Sequence, residues 1–218
     1  GEAAGGMQGA NRLGGNSLSD LLVFGNLSGI KATEYSKNIG SIPKVDDNDI
    51  RKIIQGATSI LLRENGNNPY LIHEELQKNM QYNVGIIRTK NEIENGIKEI
   101  DVLKSKFKDV KAPGSSQFNP GWHEALALRN LLISAESVAK SALIREESRG
   151  AHTREDFPSE REEWIKYNII NKKGKDGKME TVKILRTNPD KELKRIAHSK
   201  LDELEKEVKI DHDKLKVS

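Results

Sequence analysis

The chain contains no cysteine, few aromatic residues and no apolar run that approaches the length of a bilayer span. Without cysteine it can form no disulfide and can offer no thiolate ligand to an iron–sulfur cluster. A membrane-spanning helix needs about 20 predominantly apolar residues, so we predict no direct membrane span. Aromatic residues make up 5% of the sequence, which leaves the core to aliphatic side chains.

An excess of one charge is also missing, although charged residues make up 32% of the 218 residues. Thirty-six Lys and Arg face 33 Asp and Glu, and the two signs are interspersed. A nucleic-acid surface would show a basic stripe with aromatic platforms, so we predict no nucleic-acid partner. The chain opens on Gly1 without a charged region and apolar run, which predicts no signal peptide.

Helical periodicity dominates residues 47–150. Acidic residues before Ile50 suit the start of a helix over residues 47–65, and Gly66 suits its stop. Asn68-Pro69, the capping box of Thr89 with Glu92, and Asn119-Pro120 predict three further starts, the last helix ending at Gly150. The predicted apolar stripes are Ile50, Ile53, Ile54, Ala57 and Leu61; Ile72, Leu76 and Met80; Ile93, Ile97, Ile100, Leu103 and Phe107; and Trp122, Ala125, Leu128, Leu132, Ala135, Ala139 and Ala142. Short connections predict an antiparallel helical bundle over residues 48–158.

The pattern changes after residue 158. Apolar and polar residues alternate on both sides of Asp176-Gly177 within residues 163–186, which predicts a two-stranded hairpin with a lysine-rich, solvated tip. Asn188-Pro189 predicts a final helix, whose seam is Leu193, Ile196, Leu201, Leu204 and Val208. Residues 159–218 are therefore predicted to form a small C-terminal α+β module of hairpin plus helix.

The first forty residues are organised around Gly14 and Gly15, which lack a Cβ and let the backbone approach a ligand closely. Asn16 or Ser17 suits an N-cap, and residues 18–24 predict the start of a buried helix whose periodicity weakens near residues 25–28. A helix N-terminus preceded by Arg12 suits an anionic or carbonyl-bearing ligand. On spacing alone, an ordinary loop-to-helix junction with one solvated arginine is the more common structure.

Three motifs resemble one enzyme family. GEAAGGMQGANRLGGNSLSDLLVFG at residues 1–25, LQKNMQYNVGIIR at 76–88 and ALIREESRGAHTREDFP at 142–158 are similar, in family order, to the flavoprotein subunit of succinate dehydrogenase and fumarate reductase. The resemblance implies a mainly α chain: the C-terminal remnant of an FAD-binding domain (1–40), then the bundle and the C-terminal module. It also implies a whole subunit that interconverts succinate and fumarate by hydride transfer to or from FAD.

The same resemblance implies roles for residues of the first motif. Arg12 would bind a carboxylate of the dicarboxylate substrate, and a planar guanidinium suits that task because it can bind bidentately. Glu2 would bond the ribose or ribityl region of FAD. Ser17 and Leu18 would meet the pyrimidine edge of the flavin, where a helix N-terminus stabilises the negative charge of the reduced ring. Gln8 stands where many relatives carry histidine.

Partners and missing parts follow from the resemblance too. Electrons would pass to an iron–sulfur subunit, then through membrane anchor subunits to quinone, so the protein would lie in the cytoplasm, peripheral on the inner face of the cell membrane. The family's dinucleotide fingerprint, its FAD-linked histidine, its capping domain and its proton-transferring arginine are absent from this sequence. We therefore expect a C-terminal portion of a longer subunit, which has no catalytic residue or metal site of its own and neither holds FAD nor turns over substrate alone.

Three alternatives stay open at this point. The run from Glu147 to His152, with Arg145, Arg149 and Arg154, could border a substrate site; we favour an ion-pair lattice that pins the bundle to the flavin domain. L-aspartate oxidase is a rival within the class, although the glycine pair argues against it. Residues 48–218 could also form a stand-alone helical interaction module, which a start codon near residue 1 would support and an upstream GxGxxG would exclude.

Overall fold

The structure, a computed structural model, describes residues 14–207. The helices within that range are α1 (Asn16–Asn38), α2 (Asp47–Leu62), α3 (Pro69–Asn83), α4 (Lys90–Phe107), α5 (Pro120–Ile144), α6 (Lys191–His198) and α7 (Leu201–Glu207). Its strands are β1 (Ile87–Arg88), β2 (Thr153–Arg154), β3 (Tyr167–Lys173) and β4 (Met179–Leu185), with a 3₁₀ helix at Glu162–Lys166. The fold is mainly α, as predicted.

The core lies between α3, α4 and α5, which pack against one another as a bundle. Their apolar stripes face inwards as the spacing predicts: Ile93, Ile100 and Leu128 have no exposed surface. The predicted starts of the three helices are also confirmed. Asn68 Oδ1 accepts from the Tyr70 amide and Asn119 Oδ1 from the Trp122 amide, both at 2.9 Å. Thr89 and Glu92 form the reciprocal capping box.

Helix α2 differs from the prediction in its end and in its burial. It ends at Leu62, because Arg63 is extended, and Gly66 is not its stop. Gly66 instead allows a close chain crossing: a Cβ there would lie 2.3 Å from the backbone oxygen of Asp109. Within the described residues only Ile60 of α2 is buried, so most of its predicted stripe faces outwards.

Helix α1 is more exposed than predicted. It runs unbroken through residues 25–28, because a helical glycine costs only about 1 kcal/mol and does not by itself end a helix. The prediction of Asn16 or Ser17 as N-cap is wrong: both are helical and Gly15, at φ 85°, is the cap. The prediction of a buried helix is also wrong for the described residues, since none of α1 is buried.

The C-terminal end of α5 is decided by contacts rather than by Gly150. The helix ends at Ile144, where Arg154 Nη1 donates to the carbonyls of Ala142 (2.9 Å) and Leu143 (3.2 Å). These bonds satisfy carbonyls that lack partners at a helix end, so the helix stops before the glycine. Gly150, at φ 60°, lies within the turn that follows.

Two short parallel strands connect distant parts of the chain. Ile87 pairs with Thr153 and Arg88 with Arg154, which places β1, before α4, beside β2, after α5. The sequence does not predict this pairing, because each strand has only two residues.

The C-terminal module contains the predicted hairpin, with β3 and β4 antiparallel and Tyr167 opposite Leu185. The lysines at its tip are exposed as expected. The prediction of a single final helix that begins at Asn188-Pro189 is wrong in two respects. Its cap is Asp190, which accepts from the Leu193 amide at 2.8 Å. It is also broken at Ser199, whose backbone is extended, before α7 begins. Val208, the last residue of the predicted seam, lies outside the described range.

No described helix combines the length and the apolar character that a membrane crossing requires. The division at residues 40, 48 and 158 stays a prediction.

Candidate functional site

The first turn of α1 is open at its N-terminal end. No side chain caps it and no acidic residue lies in it. Leu18 donates its amide to the Gly15 carbonyl at 3.1 Å, whereas the Ser17 amide has no acceptor among residues 14–207. A Cβ at Gly14 or Gly15 would meet nothing within 4 Å. As far as residues 14–207 are concerned, this end of the helix therefore keeps a donor and room for an electron-rich group.

The other residues predicted for this site lie outside the described range. Arg12 and Glu2, with Gln8, precede residue 14, so their roles stay predictions. Ser17 and Leu18 are described, and a Ser17 amide without an acceptor among residues 14–207 is compatible with the role predicted for it.

A second cluster surrounds Glu147, whose side chain is fully buried. Its carboxylate accepts from Arg145 Nη2 at 2.8 Å, from Arg149 Nη2 at 3.1 Å and from the Arg161 amide at 2.9 Å. Burial alone would raise the pKa of Glu147, but hydrogen bonds from Arg149, the Arg161 amide and Arg145 together lower that pKa to about 2. The carboxylate stays charged at any physiological pH.

Arg154 is also held in a buried ion pair, and only 1% of its side chain is exposed. It donates from Nε and Nη2 to the two oxygens of Asp156, both at 2.7 Å, in a bidentate pair. The hydrogen bond from Arg154, opposed by partial burial, lowers the pKa of Asp156 to about 2. Asp156 also accepts from the Lys90 amide at 3.0 Å, which fixes the start of α4 to this loop.

These contacts form the ion-pair lattice that the sequence favours for the run from Glu147 to His152. The ion pairs and hydrogen bonds of this lattice connect the end of α5, residues 145–161 and the start of α4. Whether the lattice also pins the bundle to a flavin domain stays a prediction.

Two polar pairs were missed from the sequence. Glu136 on α5 is buried and accepts from Lys104 at 2.5 Å and Lys140 at 2.8 Å. Burial opposes ionisation of Glu136, but bonds from both lysines give it a lowered pKa. The spacing of four residues between Glu136 and Lys140 could have predicted that pair, because it places both side chains on one face of the helix. Lys104 lies on another helix, so no local pattern predicts its contact with Glu136. His73 and Glu124 also pair, at 2.5 Å, between α3 and α5.

Among residues 14–207, no group of three or more acidic or histidine side chains could hold a metal ion.

Comparison with known proteins identifies the chain. Residues 73–213 match the family model described as "Fumarate reductase flavoprotein C-term". The chain belongs to the succinate dehydrogenase and fumarate reductase flavoprotein family. The match covers the bundle core, the ion-pair lattice and the hairpin, so the described structure belongs to the C-terminal region of this family.

Individual relatives agree with the family model. The chain is 39% identical over 178 residues to one of the subunits of the CoM/CoB fumarate reductase of Methanothermobacter marburgensis, covering 79% of this chain and 31% of that protein. It is 38% identical over 176 residues to the succinate dehydrogenase flavoprotein subunit of Rickettsia conorii, covering 78% and 29%. The chain thus spans about a third of the length of these relatives.

Solved structures show the same similarity. The Mycobacterium smegmatis Sdh1 complex in the apo form superposes with a TM-score of 0.85 at 39% identity, over 97% of this chain and 36% of that one. The E. coli quinol fumarate reductase gives 0.72 at 29% identity, over 86% and 34%. Relatives with these names favour this family over the L-aspartate oxidase alternative.

Proposed function

We propose that this chain is the C-terminal portion of an FAD-dependent flavoprotein subunit that interconverts succinate and fumarate. The family match over residues 73–213 is the observation that carries the proposal. In this proposal residues 1–40 close the FAD-binding domain, residues 48–158 form the bundle, and residues 159–218 form the C-terminal module.

The first turn of α1 fits a flavin. Among residues 14–207, its Ser17 amide has no acceptor, no side chain caps it, and no acidic residue in it would repel a reduced ring. In the proposed subunit the Ser17 and Leu18 amides hold the pyrimidine edge, and Glu2 bonds the ribose or ribityl region. When bound, FAD supplies the redox chemistry by accepting or giving a hydride.

Arg12 binds the substrate in this proposal. Its guanidinium grips one carboxylate of the dicarboxylate and so holds the substrate beside the helix N-terminus, where orientation lowers the barrier to reaction. The chain supplies no catalytic acid or base, so the proton is handled by a group in the remainder of the subunit.

The exposed apolar faces of α1 and α2 support a larger subunit. Leu22 is 75% exposed and Ile53 is 73% exposed, and both lie on helices with several other exposed apolar side chains. A surface patch of this kind marks an interface rather than a solvated face. The remainder of the subunit covers it in our proposal.

Partners and location follow from the same assignment. Solved relatives are described as complexes, including the Sdh1 complex. We propose that electrons pass from this subunit to an iron–sulfur subunit and on to membrane anchor subunits and quinone. The protein would then lie in the cytoplasm, peripheral on the inner face of the cell membrane.

The direct test is substitution of Arg12 in the longer subunit. Arg12→Ala should abolish fumarate reduction while leaving the amount of bound FAD unchanged. Arg129→Ala is the matched control, because Arg129 is exposed on α5 and pairs with no carboxylate in the described chain. Retained turnover in Arg12→Ala would refute the substrate-binding role.

A second test uses the 218 residues alone. Purified without the rest of the subunit, they should carry no flavin absorbance and no fumarate reductase activity. Copurifying flavin would show that this portion is sufficient for FAD binding, contrary to the proposal.

A further inference from the structure

Arg88 is a half-buried cation that has no acidic partner among residues 14–207. It lies in β1, and no carboxylate among residues 14–207 comes within 4 Å of its guanidinium. The arginines near it differ in this respect, because Arg145 and Arg149 share Glu147 and Arg154 is paired with Asp156. A charge removed from water is normally paired, so the isolation of Arg88 needs an explanation.

The guanidinium is nevertheless held in a defined orientation. Nε donates to the Gly85 carbonyl at 2.9 Å, and Nη1 lies 3.4 Å from His152 Nδ1. His152 Nε2 lies 2.9 Å from the Arg145 carbonyl, which can only accept, so that nitrogen carries the proton. Nδ1 of the neutral ring is therefore an acceptor for Arg88. The other terminal nitrogen of Arg88, Nη2, makes no hydrogen bond within the described chain.

The local charge is positive. Burial, followed by the positive charge of Arg154, lowers the pKa of Arg88. Burial also lowers the pKa of His152, and Arg88, Arg154 and Arg145 add to that effect. The two nearby acids cannot compensate, since Glu147 and Asp156 already hold other arginines.

The guanidinium is not closed off from solvent, because Arg88 is only partly buried. An ion pair formed at a partly buried group is partly shielded from water and is stronger than one in open solvent.

We propose that Arg88, oriented by Gly85 and His152, is a binding site for a carboxylate supplied from outside residues 14–207. The carboxylate belongs either to a small acid in solution or to an Asp or Glu side chain in the remainder of the subunit. The second source rests on the function proposed above; the first does not. A bidentate approach to the terminal nitrogens would complete the hydrogen bonding that Gly85 and His152 begin.

The first experiment measures the melting temperature of the 218-residue chain in sodium acetate and in sodium succinate, against sodium chloride of equal ionic strength. A carboxylate that binds only the folded chain should raise the melting temperature by about 4 °C at ten times its Kd. Arg88→Gln should remove this increment. Arg129→Gln, a matched exposed arginine, should keep it, so general salt effects cancel.

The second experiment compares Arg88→Gln in the 218-residue chain and in the longer subunit. If the carboxylate is a side chain of the subunit, the substitution should lower the melting temperature more in the longer protein, and free acetate should raise the melting temperature of the 218-residue chain but not that of the longer protein, whose site is already filled. Arg129→Gln should show no such difference. Circular dichroism checks that each variant is folded. If Arg88→Gln does not fold, Arg88→Lys replaces it, because lysine keeps the positive charge but cannot bind a carboxylate through two terminal nitrogens.

The outcomes separate the two sources. An acetate increment that depends on Arg88 in both the chain and the longer subunit assigns a small acid. An increment in the chain alone, with a larger penalty of Arg88→Gln in the longer subunit, assigns a side chain. Absence of both effects overturns the site. Neither readout depends on fumarate turnover, so loss of the proposed function would leave this result intact.

Discussion

Replacing Glu147 with glutamine should destabilise the chain strongly and in a pH-dependent manner. The substitution leaves Arg145 and Arg149 beside a neutral amide in a buried position. The pKa of Glu147 falls from its ordinary value of 4.5 to about 2 on folding. At about 1.4 kcal/mol per pKa unit, the charged carboxylate contributes about 3 kcal/mol to the free energy of unfolding at neutral pH.

The direction of the pH dependence follows from the lowered pKa. The folded chain binds the proton less tightly than the unfolded chain, so this contribution is complete above the ordinary pKa and is lost as the pH falls towards 2. The cost of Glu147→Gln should therefore shrink from about 3 kcal/mol at pH 7 to about 2 kcal/mol at pH 3.5.

Urea unfolding at the two pH values measures both quantities. Glu160→Gln is the matched control, because Glu160 bonds the same Arg149 at 3.0 Å but its side chain is 64% exposed. An exposed pair contributes less than about 1 kcal/mol. Equal costs for the two substitutions, or a cost of Glu147→Gln that does not change with pH, would refute the reasoning.

Three further substitutions test the fold by urea unfolding. Gly66→Ala should lower the free energy of unfolding by more than about 1 kcal/mol, because the new Cβ would meet a backbone oxygen. Its control is Gly56→Ala, whose Cβ would meet nothing within 4 Å and which should stabilise α2 by up to about 1 kcal/mol. Similar effects of the two substitutions would contradict the close chain crossing. Thr89→Ala should lower the free energy of unfolding by about 1 kcal/mol, because it removes the capping box. Thr89→Ser keeps a capping hydroxyl, so an equal loss in Thr89→Ser would argue against capping. Leu128→Ala should cost about 3 kcal/mol from its fully buried site, and Leu131→Ala, 38% exposed, should cost clearly less if the core is correctly placed.

The candidate site divides into a part that short motifs predict and a part that they do not. Motif resemblance was enough to assign roles to Ser17 and Leu18, and the open first turn of α1 is compatible with them. Arg88 lies in one of the quoted motifs, yet its lack of a carboxylate partner among residues 14–207 could not be predicted. The orientation of its guanidinium could not be predicted either, because it depends on His152, 64 residues further along the chain.

The sequence by itself determined the starts of α3, α4 and α5 and which of their faces pack inwards. An N-cap such as Asn68, or the box of Thr89 with Glu92, acts within three residues, and an apolar stripe repeats within one or two turns. Such local signals act between neighbouring residues, so they predict helix starts and inward faces without knowledge of the tertiary contacts.

Only the tertiary structure decided where α5 stops, how β1 meets β2 and which acid each arginine holds. Arg154 ends α5 by bonding carbonyls about 12 residues earlier, and α2 carries an apolar stripe that the described chain leaves largely uncovered. These outcomes depend on groups that are far apart in sequence, or that lie outside the described residues. Local propensity contributes too little free energy to select among them, so packing and charge pairing make the choice.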